Sequence, residues 1–220
     1  MDQTLTLPLT RDVITQIHAG DCCTLTGTLY TARDAAHKRM IETIAGALDM
    51  PVEELLEMAN SQTGSSKDNP VADTSISNSR LSDEQIEKAR QALPFDIVEQ
   101  TIYYLGPTPA REGQVIGSAG PTTSTRMDRY TPILLDLGLA GMIGKGRRSA
   151  EVIAAMQRNT AVYFAATGGA GALLSKCIKS AEVIAYDDLG TEAIRKLYVE
   201  NLPVIAVIDC NGNNQYDLTH

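Results

Sequence analysis

The stretch Gly141–Ala166, GMIGKGRRSAEVIAAMQRNTAVYFAA, decides the fold. It opens on a short apolar run, Gly141 to Ile143, and turns through small and basic residues into a helix read over Ser149 to Arg158. A β-rich run, Thr160 to Ala166, follows and leads through Gly168-Gly169 into a further helix, Ala170 to Ile178. Strand, turn, helix and strand in this order predict an α/β core. Downstream, strands are expected at Ala181 to Ala185 and Val204 to Ile208, with a helix from Thr191 to Glu200 between them. Upstream lie a strand candidate from Gln100 to Leu105, a strand-like run from Gly113 to Ala119, and helical periodicity over Arg126 to Leu137 that Pro132 disturbs. Near the start, Thr4 to Leu9 and Cys22 to Tyr30 alternate like strands, with a short helix from Asp12 to His18 between them. Thr31 or Asp34 is placed to cap a helix from Ala35 to Ala47, whose Ala36, Met40, Ile44 and Leu48 recur every four residues.

Residues 51–94 break this rhythm. Pro51 introduces a helix over Val52 to Ala59. Asn60 to Ser79 is then rich in Ser, Asn, Asp, Gly and Thr, too polar to offset its ordering entropy, and is expected to be a mobile loop. Ser82 with Gln85 three residues on is a capping box for a helix over Asp83 to Leu93. The stretch reads as a long inserted loop in one domain, residues 1–220, with a mixed sheet core and surrounding helices.

Composition narrows the function. The chain has 220 residues, 43% hydrophobic and 21% charged, with 19 Lys and Arg against 27 Asp and Glu. A net charge of -8 excludes a general nucleic-acid binder, which needs a basic surplus to displace counterions. No apolar run reaches the ~20 residues of a membrane span and nothing reads as a leader, so a cytoplasmic protein is expected. Trp is absent and Phe occurs twice, which leaves an aliphatic core. Cys22, Cys23, Cys177 and Cys210 lack the tight spacing of a zinc or iron–sulfur site, so no metal is expected on this chain.

Three turns pass from an apolar strand through small residues into a helix: Gly117 to Arg126, Gly141 to Arg147 and Ala166 to Gly171. Their free N–H groups suit carboxylates or phosphates, and Arg126, Lys145, Arg147 and Arg148 add cations. Neither GxGxxG nor GxxxxGK[ST] occurs, so the nucleotide readings fail. With only His18, His37 and the terminal His220, a Ser/His/Asp triad is hard to build. His37 follows Arg33 at i,i+4, so the two either face one site or form a solvated polar face.

The run Gly120-Pro121-Thr122-Thr123-Ser124-Thr125-Arg126-Met127-Asp128 resembles the GPTT-x-x-RMD signature of class I fumarate hydratases, a family that includes the β subunit of L-tartrate dehydratase. Arg33-Asp34-Ala35-Ala36-His37 resembles its RD-x-AH element, Tyr103 to Pro107 its strand and turn, and Met142 to Gly146 its lysine loop. The resemblance covers roughly residues 1–50 and 95–215 and departs at 51–94. It implies a swivelling β/β/α domain that closes over a larger α subunit in a heterodimer or heterotetramer. A [4Fe–4S] cluster would be held by that partner and not by this chain, whose cysteines would then be structural.

The resemblance further implies a hydro-lyase acting on malate and fumarate, or on tartrate. Thr122 would take the proton and would need activation by a neighbour such as a carboxylate from the partner. Arg33, Arg126 and Lys145 would bind the dicarboxylate, with Arg126 expected on one helical face with Thr122. His37, Gly168 and Gly169 would support the site. A rival from another class is a non-catalytic subunit that binds a dicarboxylate or the partner through the same cations.

Overall fold

Alternation drives the first strands of the computed structural model, which describes residues 2–60, 81–166 and 171–217. β1 (Asp2–Leu7) and β2 (Cys22–Thr31) run parallel, with Asp2 opposite Cys22 and Leu7 opposite Gly27. Pro8, which cannot donate to a ladder, ends β1 earlier than expected. A single turn, α1 (Arg11–Ile14), joins the two. α2 (Asp34–Leu48) follows with Arg33 at its N-cap and no side-chain cap bond there, so neither Thr31 nor Asp34 caps it. Glu192, 157 residues away, instead accepts from the Ala35 N–H at 3.0 Å.

α3 (Val52–Asn60) and α4 (Asp83–Ala92) flank the expected mobile loop, whose residues 61–79 lie outside the described residues. The capping box forms: Ser82 Oγ accepts from Gln85 N at 3.2 Å, and Gln85 Oε1 accepts from Ser82 N at 2.9 Å. Leu55, Leu56, Ala59 and Ala89 of these helices are buried in the core.

β3 (Thr101–Tyr103), β4 (Gly141–Gly144) and β5 (Val162–Ala165) continue the parallel set. The run Gly113 to Ala119 is not a strand. Its backbone bonds go to a neighbouring loop, with Ser118 N donating to Thr108 Oγ1 at 2.8 Å and Thr108 N donating to Ser118 O at 3.3 Å. The expected helix Arg126 to Leu137 splits into a 3-10 turn, Ser124–Met127, and α5 (Thr131–Asp136). Pro132 explains the split, because a proline without N–H is tolerated in a helix only within its first turn. α6 (Ala150–Asn159) is capped by Ser149, and α7 (Gly171–Cys177) leads directly into β6 (Ile178–Ala185).

The largest correction follows. Thr191 to Glu200 is not a helix, because β7 runs from Ile194 to Ile208 as one 15-residue strand. Ile194, Leu197 and Val199 are buried, then Leu202, Val204 and Ala206. The phase slips at Glu200-Asn201, where two residues face the single Thr26 across the pair. Asn201 adopts φ 50° and donates its N–H to Thr26 Oγ1 at 3.0 Å, the pattern of a β-bulge.

One edge of β7 pairs antiparallel with β2 over Arg195–Ile205; the other pairs with β6 and then with β5. The strands β2, β3, β4, β5 and β7 therefore close into a five-stranded ring, with β1 and β6 as outer extensions. Leu25, Leu29, Tyr103, Ile143, Phe164, Leu197 and Val199 fill the inside. Ile102, Met142 and Tyr163 point outward and pack beneath α2 to α6. None of the described helices is long and apolar enough to cross a membrane.

The strand assignment predicts the mutational pattern of β7. Leu197→Ala and Leu202→Ala should each cost about 2–5 kcal/mol in urea unfolding. Exposed Tyr198→Ala should cost less than about 1 kcal/mol. A large loss at Tyr198 equal to that at Leu197 would contradict the strand.

Candidate active site at the C-terminal ends of the parallel strands

Parallel strands place their C-terminal ends at one rim, and in open α/β sheets that rim is where ligands bind. β3 and β4 stay paired through Tyr103 and Ile143, and Tyr104 N still donates to Ile143 O at 2.8 Å. Beyond that point the two chains part and Pro121–Ser124 fills the gap. Thr122 N donates to Tyr104 O at 2.8 Å, Lys145 N donates to Thr122 O at 3.3 Å, and Ser124 N donates to Lys145 O at 2.9 Å. Thr122 is thus held by the backbone on both sides while half-exposed, with exposed Lys145 on the adjacent chain. The fit requires Gly144: a Cβ there would lie 2.1 Å from Ser124 Oγ and 2.8 Å from the Tyr104 ring.

Arg33 comes to the same rim from the end of β2. Its guanidinium lies against Gly106, two residues after Tyr104; a Cβ at Gly106 would sit 2.7 Å from Arg33 Nη1. Arg33 Nη2 pairs with Glu192 Oε1 at 3.1 Å and with Asp34 Oδ1 at 3.7 Å, while buried Nε has no hydrogen-bond partner among the described residues.

Arg126 is exposed on the 3-10 turn. Thr122 precedes that turn, beyond its N-cap Thr123, so the expected shared helical face does not form. Among the described residues, neither Arg126 nor Lys145 has a side-chain ion pair. Two other expected cations are already engaged. Arg147 is drawn to Asp217 at 2.8 Å and the Tyr216 carbonyl at 2.9 Å.

Arg148 points inward and is buried. Its Nε donates to Asp128 Oδ1 at 2.7 Å, Nη2 to Thr131 Oγ1 at 2.9 Å and Nη1 to Tyr104 OH at 3.2 Å, between the rings of Tyr104 and Tyr163. Burial alone would lower its pKa, but Tyr104, Asp128 and Tyr163 outweigh that and raise it, so it stays charged. Asp128 also accepts from Ser149 N at 2.8 Å and so ties the end of the Thr122 segment to the start of α6. Tyr163 OH donates to Gly146 O at 3.0 Å and therefore accepts from Ser124 Oγ at 2.8 Å. Asp128, Arg148, Ser124 and Tyr163 were missed as supports. The available signal was the pairing of a motif Asp with an Arg-Arg-Ser helix entry.

His37 does not sit on a solvated face; it is buried. Its Nδ1 lies 2.9 Å from Arg33 O, which can only accept, so Nδ1 carries the proton. Burial lowers its pKa from 6.5 to about 4, so it is neutral at pH 7. His37 thus supports Arg33 through the backbone. Gly168 and Gly169 lie outside the described residues.

A groove of about 440 Å³ lies at the opposite pole, lined by Asp2, Gln3, Cys22, Cys23, Val204 and Ile205. Its charged lining residue is a carboxylate, so the strand-end rim with its cations is the better seat for an anion. Among the described residues no three His, Cys, Asp or Glu gather as metal ligands.

The family described as the Fumarase C-terminus matches residues 2–60 and 76–219, so α3 and α4 fall inside the match. The chain is 40% identical over 126 residues to "Fumarate hydratase class I, aerobic" of Escherichia coli K12, covering 56% of this chain and 23% of that protein. It is 31% identical over 195 residues to "Fumarate hydratase 1, mitochondrial" of Leishmania major, covering 88% and 28%. It is 29% identical over 215 residues to "Putative L(+)-tartrate dehydratase subunit beta" of Methanocaldococcus jannaschii, covering 95% and 88%. The chain spans about a quarter of the length of these fumarate hydratases and most of the last relative.

His37 sets an acid dependence. Its folded-state pKa lies below the unfolded value, so the unfolded chain takes the proton first as pH falls. Its contribution is complete above about 6.5 and is lost towards about 4. The loss is on the order of 3 kcal/mol. Urea unfolding from pH 4 to 8 should show that part of the slope disappear in His37→Phe; parallel curves would refute a buried neutral imidazole.

Proposed function

The chain belongs to the Fumarase C-terminus family, and on that premise we propose that it is the β subunit of an iron–sulfur-dependent hydro-lyase interconverting malate and fumarate. One observation carries the reading: Thr122 and Lys145 share a backbone hydrogen bond at the rim to which Arg33 is packed through Gly106. An alcohol set among cations suits proton removal beside a carboxylate better than it suits simple anion binding.

Dehydration takes a proton from the carbon next to one carboxylate and expels hydroxide from its neighbour. In this reading the Thr122 oxygen receives the proton. Charge then builds on the adjacent carboxylate, and Lys145, backbone-bonded to Thr122, and Arg126, four residues after it, offset that charge. Arg33 holds the second carboxylate through Nη1, the donor that Glu192 leaves open. A neutral alcohol is a weak base, so in this reading a carboxylate of the partner activates Thr122.

The described residues do not fit a cluster. Cys23 is buried in the barrel interior, its thiol pushed up to about 11 by burial, while Cys22 is exposed on the same strand. Cys177 and Cys210 sit near the carbonyls of Asn201 and Ile14 respectively. The [4Fe–4S] cluster therefore belongs to the α subunit in this reading, and this chain is confined to carboxylate binding and proton transfer. The barrel would close over that subunit as a swivelling domain, in a cytoplasmic heterodimer or heterotetramer.

L-tartrate dehydration is the second reading. It is favoured by the near full-length match to the relative named for that β subunit. A non-catalytic subunit would need the cations but not the alcohol.

Anaerobic co-expression with a cluster-bearing α subunit tests these readings. Malate or tartrate turnover should appear only when this chain is present. Thr122→Ala should lower kcat at least ~100-fold with the unfolding midpoint unchanged. Arg126→Lys should also lose turnover, because an ammonium does not reproduce the fork. Near-normal turnover in Thr122→Ala would remove it as the base. A loaded complex inert to both substrates would favour the binding subunit.

A further inference from the structure

The segment between β6 and β7 is fastened to α2 by two carboxylates. Asp188 takes both terminal nitrogens of Arg39, at 2.6 and 2.8 Å. Glu192 does something different with its two oxygens: Oε2 accepts from the Ala35 N–H at 3.0 Å, and Oε1 pairs with Arg33 Nη2 at 3.1 Å. One half-buried side chain thus caps α2 and grips the arginine at that helix's N-cap.

The remaining surroundings of Arg33 leave little freedom. A Cβ at Gly106 would lie 2.7 Å from Nη1, 2.8 Å from Cδ and 3.3 Å from Thr191 O, so the side chain is wedged between two turns. Nε is buried with no hydrogen-bond partner among the described residues. With Nη2 taken by Glu192 and Nε enclosed, Nη1, which lies against Gly106, is the donor left for a ligand. An arginine left to itself has several rotamers of similar energy, and ordering one on binding costs affinity.

We propose that Glu192 is the positioning residue for the site: by holding Arg33 Nη2 while capping α2, it fixes the guanidinium so that Nη1 meets the incoming dicarboxylate. This rests on the reading of Arg33 as a carboxylate clamp. Glu192 does not touch substrate. It acts by preorganisation, so its loss should appear in KM more than in kcat.

The test uses the reconstituted complex with malate and tartrate. Glu192→Ala should raise KM about 10-fold or more with kcat changed less than about 3-fold. Glu192→Gln can offer its one oxygen to Ala35 or to Arg33 but not to both, because its NH2 only donates, and should recover only part of the loss. Asp188→Asn frees the same segment from Arg39 and should lower the unfolding midpoint without moving KM, which separates positioning from mere support. In an Arg33→Ala background the effect of Glu192→Ala should vanish.

An NMR measurement on the full chain is independent of turnover. The Arg33 Nε–H should be protected from solvent exchange in the wild type and exposed in Glu192→Ala. Unchanged KM in Arg33→Ala would overturn the clamp reading itself. A raised KM in Arg33→Ala with an unchanged KM and unchanged Nε–H protection in Glu192→Ala would overturn the role of Glu192 alone.

Discussion

Four short parallel strands cannot bury both faces unless something closes their free edges, and in this protein β7 does so. It is antiparallel to β2 along one edge and to β5 along the other, which turns an open sheet into a ring. Its reach is what makes this possible: 15 residues at about 3.4 Å each span some 50 Å. The bulge at Asn201, satisfied by the Thr26 hydroxyl, lets so long a strand keep its apolar side chains inward over its whole length. Once the ring is closed, the C-terminal ends of β2 to β5 share one rim, and the chain segments leaving them are brought together there.

The rim itself stands on a buried charge. Arg148 lies between Tyr104 and Tyr163 with its donors directed to Asp128, Thr131 and the Tyr104 hydroxyl. Removing two charges from water costs several kcal/mol per ion, and only such complete hydrogen bonding offsets it. The arrangement is directional, so it links three pieces of chain in one geometry: the end of β3, the Thr122–Asp128 segment and the start of α6. The motif residues divide accordingly. Thr122 and Arg126 face outward, whereas Met127 is in the core and Asp128 anchors Arg148.

On the proposed function, the charge pattern of the rim lets an acidic chain attract an anion. The overall charge is -8, yet Lys145 and Arg126 stand without ion pairs among the described residues, and Arg33 is held by carboxylates that leave one donor open. In that reading the local field, set by which cations are left unneutralised, governs recognition more than net charge does.

Much of this was legible in the sequence. Period-two burial in β2, the capping box at Ser82 and Gln85, the helix read from Ser149 to Arg158 and the GPTT-x-x-RMD run are local signals, read within a few residues of one another. Thr122, Lys145 and Arg33 were legible as a group through that run and its companions, and the fold gathers them at one rim. Local signals fail where distant partners decide. Residues 191–200 carry enough charge to read as a helix, and only pairing with β2 and β6 makes Ile194 onward a strand. Nothing local marks which of Arg126, Arg147 and Arg148 goes inside, because that depends on Asp128 being 20 residues away and in reach. Nothing local assigns the cap of α2 to Glu192, 157 residues on. Sequence alone determined the element types that short-range hydrogen bonding and apolar periodicity specify. The tertiary structure decided the ring, the buried arginine and the hold on Arg33, because each depends on partners brought close only by the closed sheet.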